Sequence, residues 1–159
     1  MKIEERLMGK TIRGFHWEAP EGWEALSHEV DGILVSMALG PVADGFRNNV
    51  NVVVETVEEE MSMETYISAL ILNLHIPTGV APIKGTPKIL DISEDSAHIR
   101  VSRNVAGILV IQNLMVTKRN NAFVVVTLSE NYTQQDPGLN VLTRASSSVQ
   151  IIPNLYVVR

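Results

Sequence analysis

ILVIQNLMV, running from Ile108 to Val116, carries apolar residues at both odd and even positions, apart from Gln112 and Asn113 at its centre. A strand with one face in water alternates apolar and polar residues with a period of two; one that is apolar on both faces needs a layer above it and another below. The stretch therefore predicts a central strand, with Gly107–Thr117 as its bounds, in a sheet covered on both sides.

Outward from this strand, Ala97–Arg103 alternates, with Ala97, Ile99 and Val101 on an apolar face and His98, Arg100 and Ser102 on a polar one. Ala122–Ser129 follows the central strand, and Lys88–Ile92 precedes the group. The short breaks Ser93–Ser96, Asn104–Ala106 and Lys118–Asn121 make the set an antiparallel meander. Further upstream, ILVSMAL (Ile33–Leu39) is bounded by Asp31-Gly32 and Gly40-Pro41. NVNVVVETV (Asn49–Val57) puts Val50, Val52 and Val54 on one face and Asn49, Asn51, Val53, Glu55 and Val57 on the other.

Two helices supply the layers. Ser62 is an N-cap, Glu64 complements the dipole in the first turn, and Met63, Tyr66, Ile67, Leu70, Ile71 and Leu74 form a helical stripe that ends near His75. Asp136-Pro137 reads as an N-cap and first helical residue, with Leu139, Leu142, Ala145 and Val149 following; the helix is placed at 137–148, with SVQII as a short final strand. The fold class is α+β: one domain over residues 1–159, with an antiparallel sheet of about six or seven strands sandwiched between helices.

The 159 residues include 13 Lys+Arg and 18 Asp+Glu, for a net charge of −5, with 45% hydrophobic and 19% charged residues. With a pI of 5.3 and a mean hydropathy of +0.11, the chain is a globular protein without the basic footprint of a nucleic-acid binder. The absence of cysteine excludes disulfides, thiolate nucleophiles and zinc–thiolate sites. The N-terminal stretch MKIEERLMGKTIRGF is too charged for a signal peptide, and no window reaches the ~18 apolar residues of a membrane span. A soluble, cytoplasmic protein is expected.

No arrangement of residues spells out a reaction. Gly9-Lys10-Thr11 lacks the first glycine of a phosphate loop, since Glu4 stands there. His16, His28, His75 and His98 are scattered singly, without metal-ligand spacing. Ser146–Ser148 ends a helix and lies in no nucleophile motif. Glu55, Glu58, Glu59, Glu60 and Glu64 read as a solvated acidic run beside a helix start. No cofactor or metal is expected. Asn131-Tyr132-Thr133 matches a glycosylation acceptor by chance.

Phe15–Trp23 (FHWEAPEGW), Phe46–Val52 leading into Glu55, Ser62–Tyr66 opening the first helix, and Ala122–Ser129 running on to Ser148–Ile151 together resemble the PsbP/DcrB/LpqN superfamily, over nearly the whole chain. That superfamily shares its fold with a small Ran-binding nuclear import factor of eukaryotes. The resemblance, nearest to actinobacterial LpqN-type and DcrB-type proteins, implies a PsbP/DcrB-like α/β/α sandwich with a binding, assembly or chaperone role and no known chemistry. Those relatives are often lipoproteins with a signal and an acylated cysteine, and this sequence shows neither, so membrane anchoring is not carried over; signal-less proteins of the fold are similar to Eag chaperones.

The expected function is a non-enzymatic binding or assembly factor for a secreted or membrane-associated protein partner, with self-association open. The alternative is a small hydrolase working near the Pro/Gly-rich loop 77–87. Partner contacts are assigned to Phe46 and Arg47, on the loop after Asp44-Gly45 and paired with a flap over 78–86. Trp17 and Trp23, which flank Pro20, are further candidates, either packing the sheet edge or contacting the partner.

Overall fold

In a computed structural model, the described residues are 10–12, 15–30, 33–57, 60–75, 83–120, 122–132, 135–151 and 156–158. The strands are β1 (Lys10–Ile12), β2 (Phe15–His16), β3 (Glu24–Val30), β4 (Ile33–Ala43), β5 (Phe46–Thr56), β6 (Lys88–Ile92), β7 (Ser96–Val105), β8 (Ile108–Arg119), β9 (Ala122–Asn131), β10 (Gln150–Ile151) and β11 (Tyr156–Val158). The helices are α1 (Met63–His75) and α2 (Gln135–Ser148).

All pairings are antiparallel, and the main sheet runs β11-β1-β5-β9-β8-β7-β6, with β3-β4 joining β5 beside β1. Seven of its nine strands have five or more residues; the other two, β1 and β11, have three each. β10 does not extend this sheet but pairs with β2 in a separate two-stranded one.

Register sorts the side chains by face. Ala97, Ile99 and Val101 of β7, Leu114 and Val116 of β8, and Phe123 and Val125 of β9 lie under Met63, Tyr66 and Ile67 of α1. On the opposite face, Val50, Val52 and Val54 of β5 join Val124, Val126 and Leu128 of β9 beneath Leu142, Ala145 and Val149 around α2. β8 and β9 therefore carry apolar side chains on both faces because a helix lies on each.

The caps explain where the helices sit. Ser62 Oγ accepts from the Thr65 amide at 3.1 Å, as expected of the N-cap. α2 starts at Gln135 rather than 137, so Pro137 falls third in the helix, still within the first turn where amides lack intrahelical partners. The Arg119 guanidinium at the end of β8 donates to the Ser146 and Val149 carbonyls, placing a cation at the negative end of α2.

Meander turns are tighter than the sequence implies. Asp44-Gly45 joins β4 to β5 with φ of 48° and 84°, and Ala106-Gly107 joins β7 to β8 with φ of 50° and 83°. Positive φ at both central residues is the two-residue turn whose twist matches the flanking strands.

Candidate binding surface

Both two-residue turns lie at the same end of the sheet. A β-carbon added at Gly45 would meet Ile108 Cδ1 at 3.5 Å. In the row behind them, Asn131 of β9 faces Val110 of β8, Val110 faces Arg103 of β7, and Arg103 bridges to Ile83. Ile83 and Lys84, whose amide donates to the Ser102 carbonyl at 2.7 Å, are the described start of the loop assigned as a flap; 78–82 lie outside the described residues. The Phe46 turn and this loop thus share one sheet end, but four strand spacings, roughly 19 Å, separate them.

The β4–β5 tip is braced from several directions. Gly40-Pro41 forms a bulge, and the Trp23 ring lies so close over Gly40 that a β-carbon there would be 2.6 Å from it. Arg47 Nε donates to the Gly40 carbonyl at 3.0 Å, and its Nη2 reaches Glu24 Oε2 on β3 at 3.1 Å, so one guanidinium ties three strands together. Asn49 Nδ2 donates to the Arg47 carbonyl at 3.1 Å. Beyond the bulge, Val42 projects into solvent with 67% of its surface exposed.

Phe46 and Arg47 are neighbours on β5 and so leave opposite faces of the sheet. Phe46 is half-buried, on the face that carries Val50 and α2, while Arg47 is exposed on the α1 face. Trp17 and Trp23 are half-buried against the α2-side core, and Trp17 Nε1 donates to Ser36 Oγ at 2.7 Å. The structure thus brings Trp23, Phe46 and Arg47 to the β4–β5 hairpin and sets Trp17 deeper along it.

Other polar side chains are tied up in structure. On the α1 face, Arg103 Nε donates to Gln112 Oε1 at 2.6 Å and Gln112 Nε2 to Ser129 Oγ at 3.0 Å, a relay across three strands. Burial holds the Arg103 guanidinium below its ordinary pKa. On the other face, buried Asn113 Oδ1 lies 2.9 Å from His98 Nε2 and accepts from Arg100 Nε at 3.1 Å. Asn131 is buried, which removes it as a glycosylation acceptor.

Glu55 departs from the sequence reading. It does not belong to a solvated acidic run: it is buried between β5 and α1, where its Oε1 accepts from Tyr66 Oη at 2.6 Å, and Tyr66 stacks on Phe123 at 3.9 Å between centroids. Desolvation holds its carboxyl at about 7, the phenol hydrogen bond pulling the other way. Burial, then the Glu55 charge, drives the Tyr66 phenol well above 10. The alternation places Glu55 on the face it shares with Val53 and Val57, 11 residues before the tyrosine that meets it. A second buried acid, Glu130, packs its carboxylate where a side chain on Gly138 would stand, in the first turn of α2. Glu60 and Glu64 line an open cleft of about 910 Å³ with Glu94, Asp95 and Lys118; Glu58 and Glu59 lie outside the described residues. Among the described residues no three potential metal ligands converge.

An antiparallel sheet with one helix on each face is also the architecture of several solved structures. LpqN of Mycobacterium tuberculosis, involved in cell envelope biogenesis, aligns over 89% of this chain and 86% of its own at 13% identity, with a TM-score of 0.51. The Ran-binding protein Mog1p of Saccharomyces cerevisiae aligns over 87% and 90% at 10% identity and a TM-score of 0.56. Cyanobacterial PsbP (CyanoP) from Synechocystis sp. PCC 6803 aligns over 87% of both chains at 13% identity and a TM-score of 0.53. The chain has the PsbP/DcrB-like fold. No protein-family model matches it, and no curated protein matches its sequence. Among the described residues no helix is long and apolar enough to cross a membrane.

Proposed function

We propose that this PsbP/DcrB-like protein is a non-enzymatic binding or accessory factor whose partner is a protein, and that the β4–β5 hairpin tip is its contact surface. The observation that carries this is the tip's rigidity combined with its exposure. A bulge, the Trp23–Gly40 contact and the Arg47–Glu24 pair fix a two-residue turn that presents Val42 and Arg47 outward. An element ordered before binding loses little entropy on docking, and arginine is among the residues enriched at interface anchors. The fold itself is shared with a Ran-binding protein, which supports protein recognition by analogy alone. On this reading Phe46, Trp17 and Trp23 are the scaffold of the tip and Arg47 its polar contact. The finer proposal is a chaperone-type role in the cytoplasm for a secreted or membrane-associated protein.

Affinity capture from the protein's own cells tests the proposal, comparing wild type with Val42→Asp and Arg47→Ala. The variants are expected to lose the partners the wild type recovers while their circular dichroism stays unchanged. Equal recovery by all three, or turnover of a generic ester or phosphate substrate that a single substitution abolishes, contradicts it.

A further inference from the structure

The main sheet ends at β6, which has β7 as its neighbour on one side and, among the described residues, no strand on the other. All five of its residues are exposed, and the apolar ones carry 48% (Ile89), 44% (Leu90) and 38% (Ile92) of their surface to solvent. Such an edge is a row of unpaired backbone donors and acceptors beside apolar side chains, a template for another strand.

The chemistry of β6 selects which strand. Its register with β7 slips between Ile89 and Asp91, leaving Leu90 as the extra residue. Lys88 pairs with Arg100 and Asp91 with His98, so both charges lie on the α2 face; Ile89 pairs with Ile99 and Ile92 with Ala97, so both isoleucines lie on the α1 face. In a regular strand, positions 88 and 91 would point to opposite sides. The bulge sorts the edge into a charged face and an apolar face. Lys88 and Arg100, directly opposite each other, are also like charges, a destabilising pair, and neither has a carboxylate within ion-pair distance among the described residues.

We propose that the occupant of this edge is a second copy of the chain, its β6 antiparallel to this one about a twofold axis normal to the sheet. The axis passes between Ile89 and Leu90. Lys88 then lies opposite the copy's Asp91, and Asp91 opposite the copy's Lys88, on the same face. Each incoming carboxylate answers the Lys88–Arg100 pair, while Ile89, next to the axis, meets its counterpart on the other face. The axis keeps both α1 helices on one side, and the two sheets become one. The contact involves five residues per chain, which places it among small, reversible interfaces. This inference is independent of the function proposed for the β4–β5 tip.

Sedimentation equilibrium across about 1 to 500 µM spans the affinities of weak association. The average mass of wild type is expected to climb from 17.5 kDa toward twice that value. Lys88→Asp and Asp91→Lys each set like charges opposite one another and are expected to hold the chain monomeric. The double variant restores opposite pairs and is expected to dimerise again. Ile89→Asp, on the other face, is expected to abolish the dimer with its circular dichroism unchanged. A wild-type monomer throughout the range, a dimer indifferent to the single reversals, or a double variant that stays monomeric overturns the proposal. So does a monomer whose β6 amides are protected from exchange by an unrelated Val/Thr-alternating peptide, which puts a foreign strand at the edge.

Discussion

Glu55 shows how a single residue sets the pH response of this fold. Its carboxyl titrates at about 7 in the folded protein, against an ordinary 4.5. Below about 4.5 both folded and unfolded chains hold the proton, and the stability tied to it is fully present. Between 4.5 and 7 the unfolded chain gives up its proton first, so stability falls as pH rises, and above 7 the loss is complete. The shift corresponds to roughly 3 kcal/mol. Urea unfolding of wild type is therefore expected to weaken from pH 4.5 to pH 8 by about that much more than unfolding of Glu55→Gln, which cannot ionise and still offers Tyr66 an acceptor. Identical pH profiles for the two proteins show that Glu55 ionises as freely as an exposed glutamate. The sequence grouped this residue with Glu58–Glu60 because a run of acids near a helix start reads as solvated. Only the strand that pairs across from it, with Phe123 at the opposing position, shows that the run begins after the core has ended.

Among the elements, α1 was legible to its capping bond: Ser62 stands where the sequence places it, and Met63, Tyr66 and Ile67 are buried. The stripe continues through Leu70, Ile71 and Leu74, but these are half-buried at the margin of the cluster. Ile67→Ala is accordingly expected to cost ~2–5 kcal/mol and Leu70→Ala clearly less, read from urea midpoints at fixed pH. Equal losses would mean that the whole stripe is core. The central strand was legible for a related reason, since apolar residues on both faces admit no other place than under two layers. Less visible were the turns. Val105-Ala106-Gly107-Ile108 offers no Asn-Gly or Asp-Gly pair, and a non-glycine residue at positive φ is rarely read from sequence. Likewise β10 reads as one more strand of the sheet, although its two residues pair with β2, a long-range choice that local pattern does not encode.

At the scale of the whole molecule, each helix covers part of one face, and Val42, Ile89, Leu90 and Ile92 put four of the exposed large apolar side chains at two places. One is the β4–β5 tip with its Phe46–Arg47 start, the other the β6 edge. The tip was legible as a turn because Asp44-Gly45 announces it. Its bracing was not, because Gly40 and Glu24 meet Arg47, and Trp23 meets Gly40, only through the pairing of three strands. In the function proposed above, a partner protein docks at this tip. Site-specific photo-crosslinking inside the cell tests it most directly, with a benzophenone side chain placed at Val42 and, as a control, at Asn140 on the exposed side of α2. A discrete adduct from position 42 that is absent from position 140 is the predicted result. No adduct at position 42, or the same adducts from both positions, contradicts it.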